Sequence, residues 1–279
     1  MNLQAQSLFS LNGKTALLTG ASGYFGRTFG RALLENGARI IALGRSEKLD
    51  TQIKKWTSEF GSDRVVGYRI DMYDLTELEN TLDEIVAHES FIEILINNAY
   101  ELGPATGFNS PEGTLEEATL DQWSKHFTGG IYWPALFVKK LGPAMKENMR
   151  GSIINISTMY ASVAPNPLLY EGTSFKNPPG YSVAKAGMLA FTRYVASFWG
   201  KYGIRANAIL PGPFSNTEDT GPNSVQQGSF FLDRLAARTV LGRIGTPDEL
   251  VGALIFLASD ASSYVTGQAL GVDGGWTIT

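Results

Sequence analysis

The chain contains no cysteine and only two histidines, His88 and His126. The absence of cysteine excludes disulfide bonds, thiolate metal sites and a cysteine nucleophile. Two histidines are also too few for most zinc sites, whose protein ligands are chiefly histidine and cysteine. We therefore expect no metal site, and any catalysis has to use other side chains.

Long runs of one charge and long hydrophobic runs are missing as well. The 279 residues include 23 basic and 27 acidic side chains, which gives a formal charge of -4. That balance argues against nucleic acid or an anionic membrane as the main partner and leaves a small-molecule substrate. No uncharged run reaches transmembrane length, and the first residues lack a basic segment followed by an apolar one. These absences predict a soluble cytoplasmic protein.

What the sequence does contain is an alternation of short apolar runs with amphipathic segments of helical length. This alternation is typical of a parallel sheet whose strands are joined by crossover helices. No repeat or linker divides the chain, so residues 1–279 are predicted to form a single α/β domain. The strand candidates are Thr15–Leu18, Arg39–Leu43, Val65–Ile70, Ile92–Ile96, Ser152–Ile156, Arg205–Leu210 and Ala269–Val272. The clearest helix candidates are Phe25–Glu35, Leu75–Ala87, Asp121–Lys146, Tyr181–Tyr202 and Pro247–Ala258.

A glycine cluster, Gly20, Gly23 and Gly26, follows the first predicted strand and precedes the first helix. Glycines in this place let the backbone approach a pyrophosphate, which is bound by N–H groups at the positive end of the helix. The spacing differs from G-x-G-x-x-G, and no Gly-Lys-Ser/Thr follows as in a P-loop. An ordinary tight turn is the alternative, but the position in the first strand–helix unit favours a nucleotide.

The end of the second predicted strand indicates which dinucleotide is bound. Many dinucleotide folds carry an acidic residue here that binds the ribose 2'-hydroxyl. This chain has Arg45 instead, and a guanidinium pairs well with the oxygens of a 2'-phosphate. NADP(H) is therefore predicted over NAD(H), which stays the alternative. Asp71, after the third strand, either accepts from an adenine amine or caps the next helix.

Tyr181 and Lys185 lie four residues apart on a predicted helix and so share one face. Lowering the pKa of a phenol from ~10 to about 7 requires roughly 4 kcal/mol. An ammonium about 4 Å away supplies a similar amount at an effective dielectric constant of about 20. The pair could thus make Tyr181 a general acid and base at neutral pH. On spacing alone, a surface lysine packed over an aromatic ring is the simpler explanation.

Six motifs follow one another along nearly the whole chain. They are Thr19–Gly26, Asn97–Ala99, Gly151–Thr158, Tyr181–Lys185, Asn207–Gly212 and Thr266–Gly275. Together they resemble the short-chain dehydrogenase/reductase family. The length and the C-terminal Val272-Asp273-Gly274-Gly275 resemble its compact branch, whereas the spacing of the first glycines, with Tyr24 among them, resembles the extended branch that modifies sugar nucleotides.

The resemblance implies a doubly wound Rossmann domain with a parallel sheet of seven strands, a nicotinamide dinucleotide at the strand ends, and a homotetramer or dimer. It implies that Tyr181 is the acid/base and that Lys185 orients the nicotinamide ribose and lowers the pKa of the tyrosine. Thr158, with Ser157 beside it, stands where the family has its active-site serine; a hydroxyl bonded to local backbone is the alternative. The expected cofactor contacts are Gly20, Ser22, Gly23, Tyr24, Phe25, Gly26, Arg45, Asp71, Met72, Asn98, Ala99, Tyr181, Lys185, Pro211, Gly212 and Phe214.

The chain departs from the family pattern on the long central helix and after the fourth strand. Gly130, preceded by Gly129, stands where the family often has an asparagine, and we expect water or a substrate group to fill the space. His126 is expected to be exposed, with a proton-relay role as the alternative. Tyr100 replaces a common glycine and either reaches toward the substrate or packs under the following loop.

Two stretches without clear periodicity, residues 160–180 and 215–229, are expected to be functional or mobile. The first lengthens the chain between Thr158 and Tyr181. Its Tyr160, Asn166 and Tyr170, together with Tyr100, are candidates for binding a hydroxylated substrate such as a sugar; a surface loop at an oligomer interface is the alternative. The second belongs to a segment, about 213–232, that resembles the family's substrate lid, and its Phe230–Phe231 pair is expected to anchor the lid to the core.

The sequence thus favours an oxidoreductase that transfers a hydride between a nicotinamide cofactor and a hydroxyl or ketone of a polar, sugar-like substrate. An epimerase or dehydratase that retains its cofactor stays open because of the extended-type glycine loop. A noncatalytic dinucleotide sensor is the third hypothesis. The presence of Tyr181 and Lys185 speaks against it.

Overall fold

Seven parallel strands form the centre of the fold. The computed structural model of the chain describes residues 5–108, 110–173, 176–216 and 229–279. The strands follow the order β3-β2-β1-β4-β5-β6-β7 across one sheet. They are β1 (Thr15–Thr19), β2 (Arg39–Gly44), β3 (Val65–Arg69), β4 (Ile94–Asn97), β5 (Gly151–Ile156), β6 (Ile204–Pro211) and β7 (Ala269–Val272). All seven predicted strands are confirmed, with ends that differ by two residues at most.

Helices cover both faces of this sheet. They are α1 (Ala5–Leu8), α2 (Tyr24–Glu35), α3 (Lys48–Phe60), α4 (Leu75–His88), α5 (Leu120–Phe127), α6 (Trp133–Glu147), α7 (Pro179–Trp199), α8 (Ser229–Arg238) and α9 (Val251–Ala258). Helices α1, α3 and α8 are absent from the set that the sequence predicts. In the described part of the chain, none of the helices is both long and apolar enough to cross a membrane.

The inner strands are largely apolar because both faces of the sheet are covered by helices there, whereas the edge strands β3 and β7 are partly exposed. Along β2, Ile40 and Ala42 pack with α2, α3 and α9, whereas Ile41 and Leu43 pack with α4, α6 and α7. Burial of one such aliphatic side chain contributes roughly 1.5–3 kcal/mol. This doubly covered parallel sheet confirms the predicted α/β Rossmann-like fold.

The chain reverses its direction across the sheet between β1 and β4, which leaves a crevice at their carboxyl ends. Hydrogen bonds join the loops on the two sides of this crevice. The Thr19 hydroxyl accepts from the backbone N–H groups of Asn98 at 3.0 Å and Ala99 at 2.9 Å. The Asn98 amide in turn donates to the carbonyl oxygens of Thr19 and Gly20. These hydrogen bonds therefore fix the loops that form the floor of the crevice.

The helix predicted over Asp121–Lys146 is interrupted. Residues Thr128–Tyr132 form a π-helical turn between α5 and α6, and the Trp133 N–H bonds to the Thr128 carbonyl, five residues back. Two glycines at this point weaken the regular helix, and Pro134 has no N–H with which to continue it. The interruption lies beside the crevice, where π-turns are often found.

Candidate active site

A cleft of about 530 Å³ lies along the carboxyl ends of the strands, where ligands bind in open α/β sheets. Most of the residues predicted to contact a dinucleotide line it. They are Gly20, Ser22, Gly23, Tyr24, Phe25, Arg45, Asp71, Met72, Asn98, Ala99, Tyr181, Lys185 and Phe214. The fold therefore brings together residues from five strand ends that are far apart in the sequence.

The glycine loop forms the floor of the cleft. Gly20 has a φ of +66°, and a Cβ placed on it would lie 2.9 Å from the Cα of Ala99. Gly23 is the N-cap of α2, and no side chain caps the first turn of this helix. The N–H groups of that turn have no acceptor inside the helix. The loop thus fits a pyrophosphate, as the sequence predicts.

Three predicted cofactor contacts, Gly26, Pro211 and Gly212, are not among the residues that line the cleft. A Cβ on Gly26 would lie 2.0 Å from the Gly20 carbonyl oxygen, and this glycine is required for the packing of α2 against the loop. Gly212 packs in the same way against Asp273, whose Cα would be 2.5 Å from the added Cβ. Pro211 is the last residue of β6. All three support the cleft from behind.

One end of the cleft, here called the arginine end, is lined by Arg45, Ser46, Asp71, Tyr73 and Glu101. Arg45 is exposed and forms an ion pair with Glu101 at 3.3 Å. Asp71 accepts from the backbone N–H of Tyr73 at 3.1 Å. The cap of α4 is Asp74, so the alternative prediction that Asp71 caps this helix is wrong. Asp71 is therefore available to the cleft.

The opposite end, here called the tyrosine end, contains Tyr100, Ser157, Tyr181 and Lys185. Lys185 is only 3% exposed, and its Nζ donates to the Ile156 carbonyl oxygen at 2.7 Å. The Ser157 hydroxyl donates to the Lys185 carbonyl at 3.0 Å. These bonds tie the first turns of α7 to the end of β5. The tyrosine and lysine thus share the helix face that the spacing predicts, and this face is buried.

The pKa values of this pair differ from the prediction that Lys185 lowers the pKa of Tyr181. Burial raises the pKa of Tyr181 to about 12, and hydrogen bonding to Thr158 opposes that shift only in part. Burial also lowers the pKa of Lys185 to about 7. A lysine that is partly neutral at pH 7 is a weak source of positive potential for a neighbouring phenol. In the ligand-free protein, desolvation therefore dominates both groups.

The two hydroxyl residues after β5 have different positions. Ser157 lines the cleft, whereas Thr158 is buried behind it and accepts from the Tyr160 N–H at 3.3 Å. Each hydroxyl bonds to nearby backbone, which is the alternative that the sequence leaves open. Thr158 nevertheless interacts with the phenol of Tyr181. A substrate oxygen beside Tyr181 would lie near both groups.

The space opposite Gly130 is filled by protein, which corrects the expectation of water or substrate there. A Cβ on Gly130 would lie 2.7 Å from the Ala184 methyl and 3.5 Å from the ring of Tyr100. That ring contacts Tyr181 edge-on, with centroids 5.3 Å apart, and the Nζ of Lys185 lies 4.4 Å above its centre. Tyr100 therefore packs inward and supports both residues of the tyrosine end.

His126 is 2% exposed, so the expectation of an exposed histidine is wrong. Its Nδ1 lies 2.5 Å from the Tyr100 hydroxyl. Burial raises the pKa of Tyr100 and lowers the pKa of His126. Both groups are therefore neutral at pH 7, and the imidazole tautomer sets which of them donates. This bond fixes the ring on which Lys185 rests.

The three predicted substrate residues of the 160–180 stretch separate into two groups. Tyr160 and Tyr170 are buried in an aromatic cluster that contacts Tyr181, and their hydroxyls are 3.4 Å apart. Asn166 accepts from the Leu168 N–H at 3.0 Å within a turn and is not among the residues that line the cleft. A local turn signal was present in the Asn166-Pro167 pair.

The predicted lid can be described only in part, because residues 217–228 lie outside the described ranges. Phe231 is buried in the aromatic cluster with Tyr160 and Tyr170, as expected for an anchor. Phe230 is 62% exposed and is covered on one face by the Arg234 guanidinium. Only one ring of the pair is thus an anchor.

Several lining residues are not among the predicted ones. Glu101, Tyr73 and Trp133 line the cleft, and the Trp133 indole donates to the Met72 carbonyl at 2.7 Å. Glu101 lies four residues after the end of β4, so an acidic residue in the loop after a strand is the signal that could have identified it. Trp133 has no such signal, because its position depends on the π-turn. In the described ranges, the histidine and acidic side chains form no cluster that could hold a metal ion.

The chain is similar to known enzymes over almost its whole length. The family model described as enoyl-(acyl carrier protein) reductase matches residues 20–277. Gluconate 5-dehydrogenase of Gluconobacter oxydans is 33% identical over 98% of this chain and 98% of its own. 2-Dehydro-3-deoxy-D-gluconate 5-dehydrogenase of Formosa agariphila is 32% identical, over 98% of this chain and 96% of its own. The crystal structure of a gluconate 5-dehydrogenase from Burkholderia cenocepacia in complex with NADP and tartrate has a TM-score of 0.84 and 30% identity, and covers 99% of this chain and 100% of that one.

Proposed function

Because the chain belongs to the short-chain dehydrogenase/reductase family and is a nicotinamide-dependent oxidoreductase, we propose that it interconverts a hydroxyl and a ketone on a sugar acid or polyol with NADP(H). The observation that carries this proposal is the convergence of Tyr181 and Lys185 at the end of the same cleft that begins at the Gly20 loop. The bound nicotinamide would supply or accept the hydride.

Tyr181 is assigned the proton transfer. Its raised pKa keeps the phenol protonated at neutral pH, which suits donation to a ketone oxygen. In the oxidative direction the phenol has to lose its proton, and a charged Lys185 beside it favours the phenolate. Thr158, which interacts with the phenol, would hold the substrate oxygen near it. Ser157 borders the same space from the end of β5.

The arginine end is assigned the 2'-phosphate of NADP(H). Arg45 is an exposed guanidinium in the cleft, and planar guanidinium groups suit phosphate oxygens. The related gluconate 5-dehydrogenase from Burkholderia cenocepacia is in complex with NADP, which supports the same preference. Asp71 is free of the helix-cap role and can accept from an adenine amine.

The substrate class rests on the named relatives. Two relatives act on gluconate or a dehydrogluconate, and a third, from Candida albicans, is a sorbose reductase with 31% identity. Tyr160 and Tyr170 are buried in the aromatic cluster and do not line the cleft, so they would support Tyr181 from behind and would not touch the substrate.

A spectrophotometric assay tests the proposal. Purified protein with NADP+ or NADPH is offered gluconate, 2-dehydro-3-deoxy-D-gluconate, sorbose and threitol, and absorbance at about 340 nm reports the reduced cofactor. A steady change with at least one of them, lost in Tyr181→Phe, supports the proposal. Tight NADPH binding without any change would favour the sensor hypothesis, and turnover without net redox change the epimerase.

Assembly and location belong to the same proposal. The helices α6 and α7 present an apolar groove with Phe191, Tyr194 and Trp199, and Tyr194 stacks on the exposed Phe198 at 4.4 Å. Such a surface suits association with a second copy, so we propose a homo-oligomer, either a dimer or a tetramer. Light scattering of wild type and of Phe198→Lys tests it. A cytoplasmic location stays a prediction, to be checked by cell fractionation.

A further inference from the structure

An ion pair spans the cleft at its arginine end. Arg45 follows β2 and Glu101 follows β4, and in the sheet β1 lies between these two strands. The Nη2 of Arg45 donates to the Oε1 of Glu101 at 3.3 Å. The pair therefore passes over the carboxyl end of β1, the strand that leads into the Gly20 loop. A dinucleotide that lies along the strand ends has to cross this line.

Glu101 is the fixed partner of the pair. Its side chain is 19% exposed, and its carbonyl accepts from the Thr106 hydroxyl at 3.0 Å. Its carboxylate also interacts with the phenol of Tyr73, which together with burial raises the pKa of Tyr73. Tyr73 is held in turn by Trp133, with ring centroids 4.8 Å apart. The Tyr73 phenol thus holds the carboxylate, and the Thr106 hydroxyl holds the backbone that carries it.

Arg45 is the movable partner. Its side chain is 56% exposed, and a long exposed side chain can change rotamer at small cost. Among the described residues that line the cleft, Arg45 and Lys185 are the basic ones, and Lys185 lies buried at the other end. A phosphate at the arginine end would therefore have Arg45 as its cation and Glu101 as a neighbouring like charge.

We propose that Glu101 is a specificity-determining residue for the cofactor, because the 2'-phosphate of NADP(H) has to replace its carboxylate at the Arg45 guanidinium. The proposal rests on the assignment of Arg45 to the 2'-phosphate given above. NAD(H) has no such phosphate and leaves the Arg45–Glu101 pair in place. Glu101 thus weakens the binding of NADP(H) selectively. It reduces the preference for NADP(H) over NAD(H) that Arg45 creates.

Binding to the full-length protein without substrate tests this exchange. The dissociation constants of NADP+ and NAD+ are measured by titration calorimetry for wild type, Glu101→Gln, Arg45→Met and the double variant. Glu35→Gln is the matched control, because Glu35 forms an exposed ion pair with Arg31 on α2, outside the cleft. It makes the same change in net charge.

Glu101→Gln is expected to bind NADP+ about threefold to tenfold more tightly, with NAD+ and the control changed less than about twofold. Arg45→Met is expected to weaken NADP+ by about tenfold or more, and in that background the glutamine should have no further effect. If Arg45→Met weakens NADP+ but Glu101→Gln leaves it unchanged or weakens it too, the exchange is refuted and the 2'-site stands. If Arg45→Met leaves NADP+ unchanged, the proposed 2'-site fails, and this proposal fails with it.

Discussion

The two ends of the cleft handle charge in opposite ways. At the arginine end, Arg45 is 56% exposed and faces a carboxylate. At the tyrosine end, Lys185 is 3% exposed, rests on an aromatic ring and has no carboxylate among its contacts in the described ranges. Exposed charges keep their ordinary protonation and are screened by salt, whereas buried groups change their pKa. One end is therefore suited to attract an anion, and the other to move a proton.

The two ends of the cleft also differ in their effect on the stability of the fold. Burial of a lysine without an acidic partner costs folding free energy. The arginine end avoids this cost because the charged group of Arg45 stays in water. The tyrosine end offsets part of this cost through the bond from Lys185 to the Ile156 carbonyl and through the ring of Tyr100. Residues that support the chemistry are thus expected to lower stability there, and not at the arginine end.

The largest effect is expected from Tyr181→Phe. Removal of one hydroxyl should reduce turnover by about 10²–10⁴-fold, because the proton donor is lost while the ring still packs. The dissociation constant of NADPH should change little, since the arginine end is intact. Tyr264→Phe, at a fully exposed tyrosine before β7, is the control. Turnover within about threefold of wild type would assign the proton transfer to another group.

Lys185→Met is expected to lower turnover by about 100-fold while stabilising the fold near neutral pH. The folded-state pKa of Lys185, about 7, lies below its ordinary value, so the folded protein binds this proton less tightly than the unfolded chain. The contribution of Lys185 to the free energy of unfolding is then fully present above about pH 10 and is lost as the pH falls toward 7.

Urea unfolding of wild type and Lys185→Met between pH 10 and pH 6 measures this contribution. The gain of the variant in unfolding free energy should grow to roughly 2–4 kcal/mol as the pH falls to 7, and then level off. A gain in unfolding free energy that does not vary with pH would show that Lys185 is charged throughout and that burial does not shift its pKa.

Gly130→Ala tests the packing behind the tyrosine end. The added methyl would lie 2.7 Å from the Ala184 methyl, so we expect a loss of about 1–3 kcal/mol of unfolding free energy. Gly252→Ala in α9 is the control, because nothing lies within 4 Å of its added methyl. That substitution should stabilise by up to about 1 kcal/mol. Equal effects at the two glycines would mean that α7 moves away at no cost.

The smallest effect concerns salt. Between about 50 and 500 mM salt, the dissociation constant of NADP+ should rise by about threefold to tenfold, because Arg45 is exposed and its attraction is screened. The pH profile of turnover should not move over the same range, because the groups of the tyrosine end are buried. Titrations and pH profiles at both salt concentrations check this. A profile that shifts with salt would place the titrating group in water.

Elements were easier to predict than contacts. The strands are visible in the sequence because they form short runs that are mostly apolar, and the glycine loop because its three glycines directly follow the first strand. The positions of Tyr100 and His126 were not predictable from the sequence. Whether a tyrosine after β4 points outward depends on what lies opposite, and here Gly130 on another element leaves room for its ring. The burial of His126 likewise depends on α7, where Gly180 lies against its ring.

The arginine end shows the same limit. A strand-end arginine is visible as a candidate phosphate ligand, but its pairing with Glu101 joins residues that are 56 positions apart. That pairing exists because β2 and β4 flank β1 in the sheet.

The sequence by itself determined the sheet, its coverage by helices, the glycine loop and the four-residue spacing that places Tyr181 and Lys185 on one face. These are properties of residue type and of short spacing, which act locally along the chain. Only the tertiary structure decided that this face is buried, that Tyr100 fills the space opposite Gly130 and that Glu101 holds Arg45. The reason is that pKa values, packing and ion pairing depend on neighbours from distant elements, and only the folded chain brings them together.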